Sequence, residues 1–221
     1  MECLPGQNQR QPLGSPAMAQ AVPVVCLCGP SAAGKTMLAA ALQRRLREKQ
    51  LHSLVLACDN YYRTDWDPHG RYGFDTVDAI DLACLRQELK AVRAGTCPSL
   101  RTYDMATRCA GRQPLASQAL DVILLEGAYG PQALLEEDEF AALIYVQTPL
   151  ALRVARRLRR DQQQRQRSGL YVLKQTLLQT IPGERQFIRP LRQRADLIVR
   201  DPQRDLEPLM ERLARLLQAH T

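Results

Sequence analysis

Gly29-Pro30-Ser31-Ala32-Ala33-Gly34-Lys35-Thr36 has the pattern G-x-x-x-x-G-K-T and follows directly on the apolar run Val22-Pro23-Val24-Val25-Cys26-Leu27-Cys28. A strand that enters a tight loop and leaves as a helix aims successive backbone N–H groups and the positive helix N-terminus at one point, where they suit a phosphate. In that setting Lys35 reaches the outer phosphates of a nucleoside triphosphate, and the Thr36 hydroxyl is placed as a ligand of Mg²⁺. Behind the loop, Leu38, Leu42 and Leu46 recur at helical spacing, with Ala39, Ala40 and Ala41 favouring helix.

Outward from this loop, strand and helix signals alternate to the end of the chain. Ser53 to Cys58 reads as a second strand that ends on Asp59. A helix is expected from Asp78 to Ala94, with Leu82, Leu85, Leu89 and Val92 on one face and Gly95 as its stop. Cys97 to Tyr103 is a short extended piece. Val122-Ile123-Leu124-Leu125 is apolar throughout, as a central parallel strand covered on both faces requires, and it ends in Glu126-Gly127. Ala141 to Val146 gives another strand, and Thr148-Pro149 opens an Arg-rich helix. A helix from Leu170 to Thr180, a strand from Asp196 to Val199 and a helix carrying Leu206, Leu209, Leu213 and Leu216 complete the chain. This alternation implies an α/β fold with a doubly wound parallel sheet. Ligands of such sheets sit beyond the carboxyl ends of the strands, which selects the phosphate loop, Asp59 and Glu126 together.

The 221 residues suffice for one sizeable core, so residues 21–221 are expected to form one domain. Residues 1–20 are rich in Gln, Pro and Gly and lack an apolar core segment; they read as a disordered tail rather than a secretory signal. No apolar run approaches the ~20 residues needed to span a bilayer, so a cytoplasmic location and no membrane partner are expected. Seven cysteines include no C-x-x-C pair, and the three histidines do not cluster, so buried free thiols are expected rather than disulfides or a Cys/His metal site. The net charge of +7 is concentrated in Arg153, Arg156, Arg157, Arg159, Arg160, Arg165 and Arg167, opposed only by Asp161. Such a segment suits phosphates better than nucleic acid, since no aromatic platform is interleaved with it.

Chemically, Asp59 suits acceptance of a proton from an attacking hydroxyl or water-mediated support of a metal. Glu126 suits the acidic position near Mg²⁺, and the arginines suit neutralisation of a transferring phosphoryl group. With Asn8 and Asn60 the only asparagines, an Asn-Lys-x-Asp guanine reader is absent, which argues against a GTPase switch.

With these residues in place, the chain resembles the uridine kinase and phosphoribulokinase family of P-loop kinases. The resemblance extends from Val22 to the C-terminus and is concentrated in short blocks. Asp59-Asn60-Tyr61-Tyr62 is similar to the block that holds the family's catalytic Asp and an aromatic residue near the nucleoside. Phe74-Asp75-Thr76-Val77-Asp78-Ala79-Ile80-Asp81 resembles its F-D-x-P-D-A-x-D block, which implies that Asp75 binds ribose hydroxyls and that Phe74 neighbours the base. Tyr103-Asp104 resembles the block whose Tyr contacts the base, and Glu126-Gly127 the family's E-G pair. Arg156-Arg157, Arg160-Asp161 and Arg165-x-Arg167 resemble the lid, and Gln175 falls at a substrate-contacting Gln.

The resemblance implies a P-loop NTPase fold with an Arg-rich lid and an enzyme that uses ATP and Mg²⁺. ATP would lie on Gly29 to Thr36 with Arg165 and Arg167, and Mg²⁺ on Thr36, Asp59 and Glu126. The catalytic set would be Lys35, Asp59, Arg157 and Arg160. Asp59, Tyr62, Phe74, Asp75, Tyr103, Arg108, Arg157 and Gln175 would bind the substrate, with Tyr103 and Phe74 sandwiching a planar base. The expected partner is a small-molecule nucleoside, with homo-oligomerisation left open. Four positions depart from the pattern: Arg108 stands where a His reads the pyrimidine edge, Ala32-Ala33 replaces Gly-Ser, Gln166 replaces a Gly, and the stretch Ile188 to Ala195 is short. The expected reaction is phosphorylation of the 5′-hydroxyl of a ribonucleoside, uridine or cytidine first. The alternatives are a nicotinamide riboside-like nucleoside, pantothenate or a sugar phosphate as acceptor, or a non-catalytic ATP-binding protein.

Overall fold

Every residue of the strand that feeds the phosphate loop is buried, with Val24, Cys26 and Cys28 facing one layer and Val25 and Leu27 the other. A strand with two buried faces belongs in the middle of a parallel sheet, and the computed structural model, which describes residues 21–116, 118–135, 140–165 and 168–219, places it there. In chain order the elements are β1 (Val24–Cys28), α1 (Lys35–Glu48), β2 (Ser53–Ala57), α2 (Leu82–Arg93), β3 (Ser99–Asp104), β4 (Cys109–Pro114), β5 (Val122–Gly127), α3 (Pro131–Leu134) and β6 (Ala142–Val146). They continue with α4 (Leu150–Arg165), a helical stretch made of α5 (Gly169–Gln175), α6 (Ile181–Gly183) and α7 (Leu191–Arg194), then β7 (Leu197–Val199) and α8 (Leu206–Ala219). Two π-helical turns, Thr176–Thr180 and Glu184–Ile188, interrupt that stretch.

The main sheet has the order β2-β5-β1-β6-β7, and all its pairings are parallel. Leu38, Leu42 and Leu46 of α1 and Leu209 and Leu213 of α8 cover one face. Leu85, Leu89 and Val92 of α2, with Ile188 and Leu191, cover the other. The doubly wound α/β fold read from the sequence is therefore the fold of the protein. Among the described residues no helix is long and apolar enough to cross a membrane.

Local expectations are refined at four places. The helix read from Asp78 begins at Leu82, because Asp81 caps it by accepting from the Cys84 N–H (3.1 Å), while Thr76 caps a separate 3-10 turn, Val77–Ala79. The extended piece after Cys97 is half of an antiparallel hairpin whose other strand, β4, is exposed along its whole length. Cys109-Ala110-Gly111-Arg112-Gln113-Pro114 offers neither alternation nor β-branched residues, so it carries no strand signal. The helix read from Leu170 to Thr180 is α-helical only to Gln175 and continues as a π turn. Of the cysteines, Cys26, Cys28 and Cys58 are buried free thiols, whereas Cys84 and Cys97 are half-buried and Cys109 is exposed. Burial pushes the Cys28 thiol up to about 12.

Candidate active site

The phosphate loop joins β1 to α1 in a shape that its small residues permit. Gly29 has φ +138, and a Cβ there would lie 2.5 Å from the Val146 carbonyl oxygen of β6. Gly34 has φ +101 and opens α1. Ala32 also sits in the left-handed region, at φ 59, so the Ala that replaces a Gly here fits at a cost of about 1 kcal/mol in backbone strain. Ala33 is buried, and its carbonyl accepts from the Thr148 hydroxyl (2.8 Å). Lys35 is buried at the loop's heart, with Nζ donating to the Pro30 carbonyl (3.1 Å).

Glu126 reaches the loop from β5, where it stands in register between Leu27 of β1 and Ala57 of β2. The Thr36 hydroxyl donates to its Oε1 (3.0 Å). Burial raises the Glu126 carboxyl above the ordinary range and the Asp59 charge adds to the rise, while Lys35 and the Thr36 hydrogen bond oppose it. A hydroxyl and a carboxylate oxygen side by side at a phosphate-binding loop fit Mg²⁺, which takes one or two protein oxygens and fills its shell with phosphate and water. Thr36 and Glu126 would hold it, and Asp59 lines the same cavity.

On the acceptor side, a cavity of about 160 Å³ lies against Asp75, Tyr103, Arg108, Arg157 and Gln175. Asp75 is 7% exposed; its Oδ2 accepts from the Thr180 hydroxyl (2.8 Å) and lies 4.0 Å from Arg157 Nη2. Burial pushes the Asp75 carboxyl up, with Arg157 and the Thr180 hydrogen bond pulling it back. Arg157 Nη2 also donates to Gln175 Oε1 (3.3 Å). Asp161, fully buried, holds both lid arginines: Arg160 Nε donates to Oδ1 (3.0 Å), and Arg157 Nε lies 4.0 Å from Oδ2.

The aromatic residues gather here too. Tyr62 contacts both rings, at 6.0 Å from Phe74 and 5.8 Å from Tyr103, and the Arg108 guanidinium lies over the Phe74 ring at 4.9 Å. That Phe74 face is thus covered by a cation–π contact. Arg108 also donates to the Trp66 carbonyl from a backbone at φ 62. Two buried polar atoms beside the cavity, Tyr103 Oη and Arg108 Nε, have no hydrogen-bond partner among the described residues, and a ligand would supply one.

The two halves meet at Asp59, the exposed residue of the 3-10 turn Cys58–Tyr61 that follows β2. Asp59, with Ser31, Tyr62, Asp75 and Arg160, lines both the acceptor cavity and the phosphate-loop cavity of about 360 Å³. Arg165 is the last residue of α4, and Gln166 and Arg167 lie outside the described residues. Two site residues, Glu184 and Thr180, have no counterpart in the sequence reading, and Asp161 appears there without the role it takes here. Glu184 accepts from the Ser31 N–H (3.2 Å) and pairs with Arg153 (2.6 Å), Thr180 orients Asp75, and Asp161 anchors the arginines. Asp161 was visible as the single acid of the Arg run. Glu184, 153 positions from Ser31, left no local signal.

Residues 24–207 match the model of the phosphoribulokinase/uridine kinase family, and the chain belongs to that family. It is 30% identical to a uridine kinase of Staphylococcus epidermidis over 181 residues, covering 80% of this chain and 86% of that protein. Among solved structures, a possible uridine kinase from Bacillus stearothermophilus superposes with a TM-score of 0.56 at 18% identity, covering 84% of this chain and 91% of the other. The phosphoribulokinase of Rhodobacter spheroides superposes at 0.52 and 15% identity, covering 83% and 73% respectively. The protein is a P-loop phosphotransferase that acts on an alcohol group.

Proposed function

We propose that the protein transfers the γ-phosphoryl group of ATP to the 5′-hydroxyl of a ribonucleoside, uridine or cytidine first. The observation that carries this reading is the position of Asp59, on the shared border of a phosphate-loop cavity and a second cavity floored by Asp75. In this reading Lys35 and the loop amides hold the outer phosphates of ATP. Asp59 accepts the hydroxyl proton, and Arg157 and Arg160, with Arg165 and Arg167, neutralise charge on the transferring group. Mg²⁺ bound by Thr36 and Glu126 supplies further positive charge to the phosphate oxygens. Asp75, already oriented by Thr180 and Arg157, accepts hydrogen bonds from vicinal ribose hydroxyls. Tyr103 Oη and Arg108 Nε supply the polar contacts to the base.

Arg108 favours a particular kind of base edge. A guanidinium only donates, so an acceptor with carbonyl oxygens, such as uracil, suits it better than one with an amino group at the same place. The test is to incubate the protein with Mg-ATP and uridine, cytidine, nicotinamide riboside or pantothenate and to measure ADP and the phosphorylated product. Transfer to uridine ahead of cytidine is expected. Transfer to pantothenate alone, or ATP binding without transfer to any of them, would overturn the reading.

A further inference from the structure

A third cavity, of about 470 Å³, opens beside the phosphate loop at Pro30 and shares no lining residue with the donor or acceptor cavities. Its wall carries four arginines, Arg153 from α4 and Arg185, Arg189 and Arg192 from the helical stretch before β7, against a single carboxylate, Glu184. That carboxylate is already engaged, by Arg153 Nη1 (2.6 Å) and the Ser31 N–H (3.2 Å). Arg192 Nε donates to Gln147 Oε1 (3.0 Å), a neutral partner. The Arg185 and Arg189 side chains have no hydrogen-bond or ion-pair partner among the described residues.

Arg185 lies on the π turn Glu184–Ile188 and Arg189 and Arg192 follow it, and all three line the one cavity, which gathers like charges on one wall. Such crowding of like charge is unfavourable unless an anion relieves it. Across the cavity the lining turns apolar, with Tyr145 and the partly exposed Leu150. The volume falls in the range of small-molecule sites, and guanidinium forks match phosphate oxygens bidentately.

We propose that this cavity binds a phosphorylated small molecule, its phosphate on Arg185, Arg189 and Arg192 and a flat or apolar group against Tyr145 and Leu150. This ligand is bound in addition to the nucleotide and the acceptor, so the assignment stands independently of which alcohol is phosphorylated.

Phenyl phosphate, a phosphate monoester on a flat apolar ring, is the probe. The full chain is first saturated with Mg²⁺ and a fluorescent non-hydrolysable ATP analogue, then titrated with phenyl phosphate in a calorimeter. One equivalent should bind with the analogue retained, while inorganic phosphate binds more weakly and phenol not measurably. R185Q/R189Q should weaken phenyl phosphate at least tenfold with the analogue's affinity unchanged, and R185K/R189K should restore part of the loss. R189Q alone is the fallback should the double variant misfold, and a threefold or greater weakening is expected of it. No binding, release of the analogue, or binding that the Arg→Gln variants leave unchanged would overturn the proposal. Preference for polyglutamate over phenyl phosphate would do the same, because it would mark the surface as a dock for an acidic polypeptide.

Discussion

Between Gly29 and Thr36 the donor site takes its shape from backbone: eight consecutive residues, positive φ at Gly29, Ala32 and Gly34, and a helix that starts where the loop ends. The acceptor cavity is made the opposite way. Its groups come from the turn after β2, the segment around Asp75, the tip of the β3–β4 hairpin, α4 and the helical stretch behind it, and its chemistry lies almost wholly in side chains. A backbone-built site tolerates replacement of its side chains so long as they stay small, as Ala32 and Ala33 show. A side-chain-built site can be retuned one residue at a time, and Arg108 stands where such retuning is expected.

Substitutions can break or sharpen that contrast. The largest effect belongs to the residue that serves both halves. Asp59→Asn should lower kcat by about 10²- to 10⁴-fold, the range of a lost general base, while an equilibrium binding assay finds ATP affinity within a few-fold of wild type. Asp75→Asn acts through the acceptor hydroxyls, although Asp75 also borders the phosphate-loop cavity. It should lower kcat/KM for a ribonucleoside by roughly 10- to 100-fold, as expected for lost charge-assisted hydrogen bonds, and leave the KM for ATP in place.

The same carboxyl predicts a pH effect with a definite sign. Burial raises the Asp75 pKa, so its protonated form persists to higher pH than in an ordinary carboxylate, and that form cannot accept from both hydroxyls. Acceptor kcat/KM should therefore fall as pH is lowered through the raised pKa. Because Arg157 pulls that pKa down, Arg157→Gln should move the acid limb to higher pH, which pH–rate profiles of the two proteins will show. Arg108→His should change the uridine-to-cytidine ratio by about tenfold, in the range one polar contact supplies, with stability unaltered in thermal melts. The smallest effect falls in the backbone-built half: Ala32→Gly should relieve the left-handed strain and stabilise the fold by about 1 kcal/mol, read by urea denaturation, with acceptor choice unchanged.

The same division explains what the sequence disclosed. Asp59 and Glu126 lie at strand ends of a sheet whose hydrophobic pattern is strong, and Lys35 and Thr36 open the helix after the β1 loop, so local spacing located all four. The hairpin escaped because β4 has no buried face to impose a pattern on its residues. The ring arrangement of Tyr62, Phe74 and Tyr103 escaped because ring contacts depend on packing between residues far apart in the chain, which no periodicity encodes. Glu184 and Thr180 lie on or at the end of π turns, a rare local geometry that often marks functional sites and that helical spacing alone does not distinguish from an α-helix.

Selection of a ribonucleoside by the acceptor cavity is measured most directly by the ratio of kcat/KM for uridine to that for 2′-deoxyuridine with Mg-ATP as donor. Phosphorylation of uridine at the 5′ position is expected with a ratio of at least about 10, the worth of one hydrogen bond to a charged group, and the ratio should collapse toward 1 in Asp75→Asn. Equal rates on the two nucleosides in the wild-type protein would contradict it.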